Sequence, residues 1–147
     1  MKKYKYIFSD LDGTLIETIS GETFPKGIWD MKIRFDVLDK IKEIKPAYLL
    51  IVTNQGGIEL GRVDRIGFSI KLNYIRALIS EYCNCRCHAT YCTTNAISDP
   101  YRKPNTGMLE KMTEDFVGNN IDYIKSISLM IGDASGKDGQ FSDSDKN

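Results

Sequence analysis

The chain has 147 residues, 41% hydrophobic and 27% charged, a composition typical of one globular domain with a single core. Lys and Arg residues equal Asp and Glu residues at 20 each, so a nucleic-acid partner would have to contact a local basic patch. The longest apolar run, residues 47–52, is too short to span a membrane, and early aspartates exclude a signal peptide. We therefore expect an intracellular protein, cytoplasmic or nuclear, with no membrane partner.

Apolar runs predict four β-strands, at residues 4–9, 47–53, 87–92 and 126–131, and helical patterns separate them. One helix is predicted around Leu38 and Ile41, a second from Ile66 to Tyr82, and a third from Met108 onward. The apolar face predicted for the second helix consists of Ile66, Ile70, Tyr74, Ile75, Leu78, Ile79 and Tyr82. This alternation favours right-handed crossovers and a parallel sheet covered on both faces. We expect a single doubly wound, Rossmann-like α/β domain over residues 1–147.

Polar residues follow the carboxyl end of each predicted strand. In chain order they are Asp10 and Asp12, then Thr53 and Asn54, then Lys103, and finally Asp133. Because ligands of parallel sheets bind outside the carboxyl ends of the strands, we expect these residues to share one site. Two aspartates so close together at the end of a buried strand repel each other and lose hydration, and a bound cation is the usual compensation.

Four cysteines cluster with the single histidine in the segment CNCRCHATYC, residues 83–92, a grouping that can bind zinc. Cys87 and Cys92 are an odd number of positions apart on a predicted strand, so they should point to opposite faces of the sheet. The segment also lacks a pair of Cys-x-x-Cys motifs. We expect buried or half-buried free thiols, and zinc binding is the less favoured alternative.

The motif DLDGT, a strand-end Thr-Asn, Lys103 and Gly132-Asp133 together resemble the four motifs of the haloacid dehalogenase-like phosphatases. The longer segments DLDGTLIETISGETFP, IVTNQGGI, YRKPNTGM and IGDASGKDGQFSDSDK are similar to the phosphatase domain of the polynucleotide kinase 3′-phosphatase family. Histidinol-phosphatases and heptose bisphosphate phosphatases are relatives of this group. The family usually continues through another helix and strand. These 147 residues contain no counterpart of its kinase half, so we expect no kinase activity.

The resemblance implies catalysis through an aspartyl-phosphate. Asp10 would be the nucleophile, and Asp12 would protonate the leaving alcohol and then deprotonate water. Lys103 would neutralise the transferring group, whose oxygens Thr53 and Asn54 would hold. The implied cofactor is Mg²⁺, because it prefers carboxylate and phosphate oxygens. Its ligands would be Asp10, the backbone carbonyl of Asp12, Asp133 and Asp138, with Asp145 as the alternative to Asp138.

Motif spacing bears on the substrate. The intervals from Asp10 to Thr53 and from Thr53 to Lys103 hold the predicted elements but no cap domain, so we expect an open site with a short flap at residues 17–26. An open site suits a large substrate, and the resemblance implies a nucleic-acid end carrying a 3′-phosphate, as in DNA repair. Arg102 would contact its backbone. Phe24 would either stack on the terminal base or pack at the base of the flap.

Two other functions stay open at this point. One is a small-metabolite phosphatase of the histidinol-phosphate or heptose-bisphosphate type. Those relatives carry a zinc loop with Cys-x-His, whereas Cys87 and His88 are adjacent here. The other is an inactive module that binds nucleic-acid ends, which the intact Asp10 and Asp12 disfavour.

Overall fold

Strands and helices alternate along residues 3–118 and 120–132, the part of the chain that the computed structural model describes. In chain order the elements are β1 (Tyr6–Ser9), β2 (Ile16–Glu17), β3 (Lys32–Ile33), α1 (Phe35–Ile44), β4 (Tyr48–Asn54), α2 (Gly56–Glu59), α3 (Arg65–Cys83), β5 (Arg86–Cys92), α4 (Gly107–Phe116), α5 (Ile121–Ser126) and β6 (Ser128–Ile131). Within these residues, no helix has the length and apolar character needed to cross a bilayer.

Four strands form a parallel sheet in the order β5-β4-β1-β6, with Tyr6 of β1 in register with Tyr48 of β4 and Ser128 of β6. The four predicted strands and the parallel sheet are therefore confirmed. Strands β2 and β3 form a separate antiparallel pair. The loop between them, residues 18–31, contains most of the flap predicted at residues 17–26, and the name flap is used for this whole loop from here on. Because all four sheet strands run the same way, their carboxyl ends lie along one edge.

The two faces of the sheet bury separate clusters of side chains. Residues that alternate along the strands point to opposite faces, which explains why β4 reads as a continuous apolar run. Ile7, Leu49 and Ile51 pack against α1 and α3. On the other face, Phe8, Leu50 and Val52 of the sheet pack against Met108 and Met112 of α4. Helices on both faces make this the doubly wound α/β architecture that the sequence predicts.

The apolar face predicted for α3 is wrong in part. Ile66, Ile70 and Tyr74 are 73%, 56% and 56% exposed. The buried positions of α3 are Phe68, Lys71, Leu72, Ile75, Ile79 and Cys83. Two apolar stripes run along this helix, and the packing of α3 on β5 and α1 determines which one is buried. The buried stripe contains a lysine, which hydrophobic periodicity cannot anticipate.

Two short helices are absent from the sequence predictions. Helix α2 begins at Gly56, and the backbone N–H of Ile58 donates to the Gln55 carbonyl at 3.1 Å. Helix α5 ends at Ser126, so the last strand begins two residues later than predicted. Both helices are too short to show an apolar period.

The four cysteines are buried and unpaired. Cys87 and Cys92 belong to different core clusters, which confirms that they point to opposite faces of the sheet. Burial raises the pKa of Cys83 to about 11 and that of Cys87 to about 12, so both thiols are protonated at neutral pH. Among the residues described, no group of three or more His, Cys, Asp or Glu side chains is placed to hold a metal ion. The absence of a zinc site stays a prediction.

Candidate active site

The two aspartates of the first motif leave strand β1 in different environments. Asp10 directly follows β1, and its backbone N–H donates to the Ile131 carbonyl of β6 at 3.1 Å, so the sheet pairing extends to this residue. Only 15% of its side chain is exposed. The chain then turns at Gly13, whose φ of 77° lies in the left-handed region that favours glycine. Asp12, just before this turn, is exposed at the edge of the sheet.

Lys103 reaches Asp10 from the loop between β5 and α4. Its Nζ donates to Asp10 Oδ1 at 3.1 Å, and only 4% of the lysine side chain is exposed. Water screens such a pair poorly, so the attraction is stronger than at a surface, and removing one partner of a buried pair typically costs about 3–5 kcal/mol. The arrangement places a cation against the carboxylate that would receive a phosphoryl group.

Asn54, the last residue of β4, fixes the backbone of Lys103. The Lys103 N–H donates to Asn54 Oδ1 at 2.9 Å, and Asn54 Nδ2 donates to the Lys103 carbonyl at 3.1 Å. Arg102 Nη1 donates to the same carbonyl at 3.1 Å. The side-chain amide of Asn54 is thus engaged in positioning the lysine. The phosphate-binding role of Asn54 stays a prediction.

Arg102 lies beside this arrangement and is half-buried. Its Nε is buried and has no hydrogen-bond partner among the described residues. An arginine with an unused N–H donor can donate a hydrogen bond to an incoming phosphate oxygen. The substrate contact predicted for Arg102 is compatible with this position.

Gln55 joins the second motif to Asp12. Its Nε2 donates to Asp12 Oδ2 at 2.7 Å and to Thr53 Oγ1 at 3.0 Å. Both Gln55 and Thr53 are buried, at 8% and 1% exposed. The amide therefore holds the carboxylate of Asp12 close to the predicted phosphate-binding hydroxyl.

Sequence reasoning passed over Gln55, although a signal was available. In extended backbone, residues two apart lie on the same side, so Gln55 shares its side with Thr53. Gly56 and Gly57 follow it directly, and glycines are typical of a loop, so Gln55 itself did not stand out as a site residue.

The flap is organised by a carboxylate that sequence reasoning also missed. Asp30 is fully buried and accepts hydrogen bonds from the Ser20 N–H at 2.9 Å, the Ser20 hydroxyl at 2.6 Å and the Lys26 N–H at 2.9 Å. These hydrogen bonds lower the pKa of Asp30 from 3.8 to about 2, and the bond from the Ser20 hydroxyl contributes most. Asp30 is therefore ionised and ties both ends of the flap together. A single acidic residue between Trp29 and Met31 gave no pattern to detect.

Phe24 of the flap packs against helix α2. A Cβ added to Gly57 would lie 2.9 Å from two ring atoms of Phe24, so the glycine leaves room for the ring. The guanidinium carbon of Arg62 lies 5.9 Å from the ring centroid. The contact of Phe24 in this structure is therefore with α2. Stacking of Phe24 on a base stays a prediction.

The donors available for a metal are hard oxygens. Asp10 and Asp12 supply carboxylate and backbone carbonyl oxygens, the ligands that Mg²⁺ prefers, and the residues present fit that ion. Asp133 and Asp138, with the alternative Asp145, lie outside the described residues. Gly132, which precedes Asp133, follows β6 at the same edge of the sheet as Asp10.

The chain is similar in sequence to known proteins. Residues 5–147 match the sequence profile described as polynucleotide kinase 3 phosphatase. The chain is 33% identical over 153 residues to an uncharacterized 20.8 kDa protein of Autographa californica nuclear polyhedrosis virus, a match that covers 99% of this chain and 78% of that protein. It is also 33% identical over 147 residues to the bifunctional polynucleotide phosphatase/kinase of Schizosaccharomyces pombe. That match covers 98% of this chain and only 34% of the yeast protein.

Two solved structures share the fold. A structure described as a HAD-like phosphatase from Mesorhizobium loti superimposes with a TM-score of 0.67 at 22% identity, over 90% of this chain and 65% of that chain. The D,D-heptose 1.7-bisphosphate phosphatase of B. bronchiseptica, complexed with magnesium and phosphate, gives a TM-score of 0.62 at 19% identity. This second match covers 79% of this chain and 64% of the other. The chain thus spans about two thirds of each of these structures.

Proposed function

The chain belongs to the polynucleotide kinase 3 phosphatase family, and from that membership we propose that it is a Mg²⁺-dependent enzyme that removes 3′-phosphates from DNA ends. The family and the structural neighbours make it a haloacid dehalogenase-like phosphatase. The observation that carries the proposal is the buried contact of 3.1 Å between Lys103 Nζ and Asp10 Oδ1. It sets a nucleophile and a charge-stabilising cation side by side at the ligand-binding edge of the sheet.

In the first proposed step, a carboxylate oxygen of Asp10 attacks phosphorus in line with the ester bond. The new oxygen–phosphorus bond gives an aspartyl-phosphate, and the bond from phosphorus to the 3′-oxygen of the sugar breaks. Asp12 donates a proton to that 3′-oxygen, which leaves as the hydroxyl end of the strand. Lys103 stabilises the negative charge on the transferring group, and the Thr53 hydroxyl holds one of its oxygens.

In the second step, water attacks the phosphorus of the aspartyl-phosphate. Asp12 accepts the proton of that water, the bond from Asp10 to phosphorus breaks, and inorganic phosphate leaves. Bound Mg²⁺ would neutralise phosphate charge and orient the group for in-line attack. Asp10 and the Asp12 carbonyl would hold the ion, together with the predicted ligands Asp133 and Asp138.

The choice of a nucleic-acid end follows from the absence of a cap domain over the described part of the site. Between Asp10 and Thr53 the chain forms only β2, β3, the flap and α1. Between Thr53 and Lys103 it forms α2, α3 and β5. A substrate therefore meets an exposed Asp12 and a short flap, an opening that suits the end of a long polymer.

A substrate panel tests the proposal. We expect kcat/KM for a 3′-phosphorylated DNA oligonucleotide to exceed that for the 5′-phosphorylated isomer, histidinol phosphate and a heptose bisphosphate by at least about 100-fold, a difference worth about 3 kcal/mol. Activity should disappear with EDTA and return with Mg²⁺. Asp10→Asn protein is the control for contaminating phosphatases. Equal or better turnover of histidinol phosphate or the heptose bisphosphate would replace the nucleic-acid assignment with a small-metabolite one.

A further inference from the structure

The loop that carries Lys103 has little apolar packing to hold it in place. It consists of residues 93–106, between β5 and α4, and the structure describes all of them. Lys103 is buried, whereas the rest of the loop is half-buried or exposed, with Ile97 79% and Tyr101 49% exposed. Because the loop buries so little apolar surface, hydrogen bonds must determine its shape.

Asn105 supplies the hydrogen bonds that close this loop. Its Nδ2 donates to the Ile97 carbonyl at 2.7 Å and to the Asp99 carbonyl at 2.8 Å. Its backbone N–H donates to the Arg102 carbonyl at 2.8 Å. Asn105 follows Lys103 by two residues, so one amide side chain joins the early part of the loop to the segment that carries the lysine.

Two neighbouring contacts limit how the loop can be arranged. The Gly107 N–H donates to the Pro100 carbonyl at 2.8 Å, and a Cβ added to Gly107 would lie 2.4 Å from that carbonyl oxygen. The backbone of Lys103 is held separately by the side-chain amide of Asn54. Lys103 is therefore anchored on one side by the sheet and on the other by the loop that Asn105 closes.

This anchoring matters because Lys103 must place one charged atom accurately. Its side chain is a flexible four-carbon stem, so a shift of its backbone moves Nζ away from Asp10 Oδ1, which Nζ contacts at 3.1 Å. A misplacement of about 1 Å can lower a reaction rate by about 100-fold. A residue that fixes the backbone of this loop can therefore affect the chemical step.

We infer that Asn105 is a positioning residue, whose side-chain amide fixes the loop that holds Lys103 Nζ against Asp10. The inference rests on the proposed function, in which Lys103 stabilises the transferring phosphoryl group. Asn105 acts through Lys103, so its loss should lower kcat and leave KM nearly unchanged. Because every substrate shares the transferring group, the loss should not depend on the leaving group.

A double-mutant cycle tests the inference. It measures kcat and KM on a 3′-phosphorylated oligonucleotide and on 2,4-dinitrophenyl phosphate, a reactive ester that keeps slow variants measurable. Asn105→Ala should lower kcat about 10- to 100-fold on both substrates and change KM by less than about threefold. In a Lys103→Met background, the same change should lower kcat by less than about twofold, because the lysine that Asn105 positions is already gone. Asn105→Ser, which keeps one hydroxyl donor, should restore part of the loss.

Asn120→Ala is the matched control. Asn120 Oδ1 accepts the Tyr123 N–H at 3.1 Å and caps α5, so this change also removes a side-chain bond to the backbone, but before the amino end of β6. It should lower the melting temperature and leave kcat unchanged. If Asn105→Ala melts below the assay temperature, the same cycle is run with Asn105→Ser.

The outcomes separate the inference from the function beneath it. Equal factors of loss in both backgrounds would overturn the inference, since Asn105 would then act independently of Lys103. A loss in KM alone would indicate contact with the substrate, and an equal loss of kcat for Asn120→Ala would indicate general destabilisation; either result would also overturn it. Near wild-type kcat for Lys103→Met on both substrates would instead overturn the role of Lys103 in the proposed function.

Discussion

The two sides of the site are built in different ways. The phosphoryl side consists of Asp10 and Asn54, which lie at strand ends, and of Lys103, a loop residue whose backbone Asn54 holds. The side chains of the ion pair between Asp10 and Lys103 are 15% and 4% exposed. The leaving-group side consists of an exposed Asp12 and a flap whose order depends on the buried Asp30. One side is held by the sheet, and the other by hydrogen bonds within a loop.

This difference assigns the chemical step to the phosphoryl side and the choice of substrate to the leaving-group side. Groups on strand ends cannot shift without moving the sheet, so they suit a step that every substrate shares. Loops can change length and composition while the sheet stays intact, so they suit the recognition of the leaving group. Changes on the phosphoryl side should therefore affect all substrates equally, and changes on the leaving-group side should affect some substrates more than others.

The largest effect should come from Asp10→Asn. The amide has nearly the same shape as the carboxylate but is a poor nucleophile, so kcat should fall by about 10⁴-fold or more on every substrate. Far-UV circular dichroism should be unchanged. Near wild-type turnover of any phosphomonoester by this variant would rule out Asp10 as the nucleophile.

A smaller and substrate-dependent loss is expected for Gln55→Met. The change removes the donor that holds Asp12 and Thr53 at 2.7 and 3.0 Å, so kcat should fall by about 10- to 100-fold. The loss should be greater for alkyl than for nitrophenyl phosphates, because poor leaving groups need protonation most. The control is Asn95→Ala, which removes a bond of 2.9 Å to the Gly56 carbonyl but touches neither partner of Gln55. Identical losses for both leaving groups would place Gln55 outside the acid–base function.

Phe24→Ala should have a several-fold effect. The ring packs on Gly57, and its removal should lower the free energy of unfolding by about 1–3 kcal/mol. Because the flap lies on the leaving-group side, we expect kcat/KM to fall several-fold more for an oligonucleotide than for an aryl phosphate. Trp29→Ala is the matched control, since Trp29 is 65% exposed on the same flap and its loss should change stability by less than about 0.5 kcal/mol. Equal losses on both substrates would contradict the assignment of the flap to the leaving-group side.

The smallest effect is a loss of flap stability at low pH. The pKa of Asp30 is lowered to about 2 in the folded chain from 3.8, so its stabilising contribution is complete above pH 3.8 and is lost as the pH falls toward 2. Trp29, the sole tryptophan, lies next to Asp30, and its fluorescence should change over that interval. Asp30→Asn should remove this transition, whereas Asp36→Asn, at another carboxylate of lowered pKa, should keep it. A transition that survives Asp30→Asn would assign the change to another group.

The sequence predicts the phosphoryl side well, for a physical reason. Short apolar runs in the sequence predict the strands. In a parallel sheet, the polar residues at the carboxyl ends of these strands must lie at one edge. Asp10, Asn54 and Lys103 could therefore be grouped without coordinates, and their roles in catalysis stay predictions. The contact partner of each was harder to foresee, and the Asn54 side chain proved to hold the backbone of Lys103.

The leaving-group side was predicted less well, because loop geometry has no periodic signal. Asp30 is a buried polar residue held by other residues of the flap, and it does not follow a strand. The predicted core face of α3 was wrong at Ile66 and Ile70, which have the helical spacing of a core face but are exposed. Burial in such cases depends on which neighbour packs against the helix, and only the tertiary structure shows that.

The most direct test asks whether Asp10 receives a phosphoryl group from a DNA end. The protein is mixed with Mg²⁺ and a 3′-phosphorylated oligonucleotide, quenched in acid within the first turnover, and analysed by peptide mass spectrometry. We expect one phosphoryl group on the peptide that contains Asp10, and none with the unphosphorylated oligonucleotide or with the Asp10→Asn variant. Release of phosphate from the DNA end with Asp10 unmodified at every quench time would contradict the covalent mechanism and the division of the site into two sides.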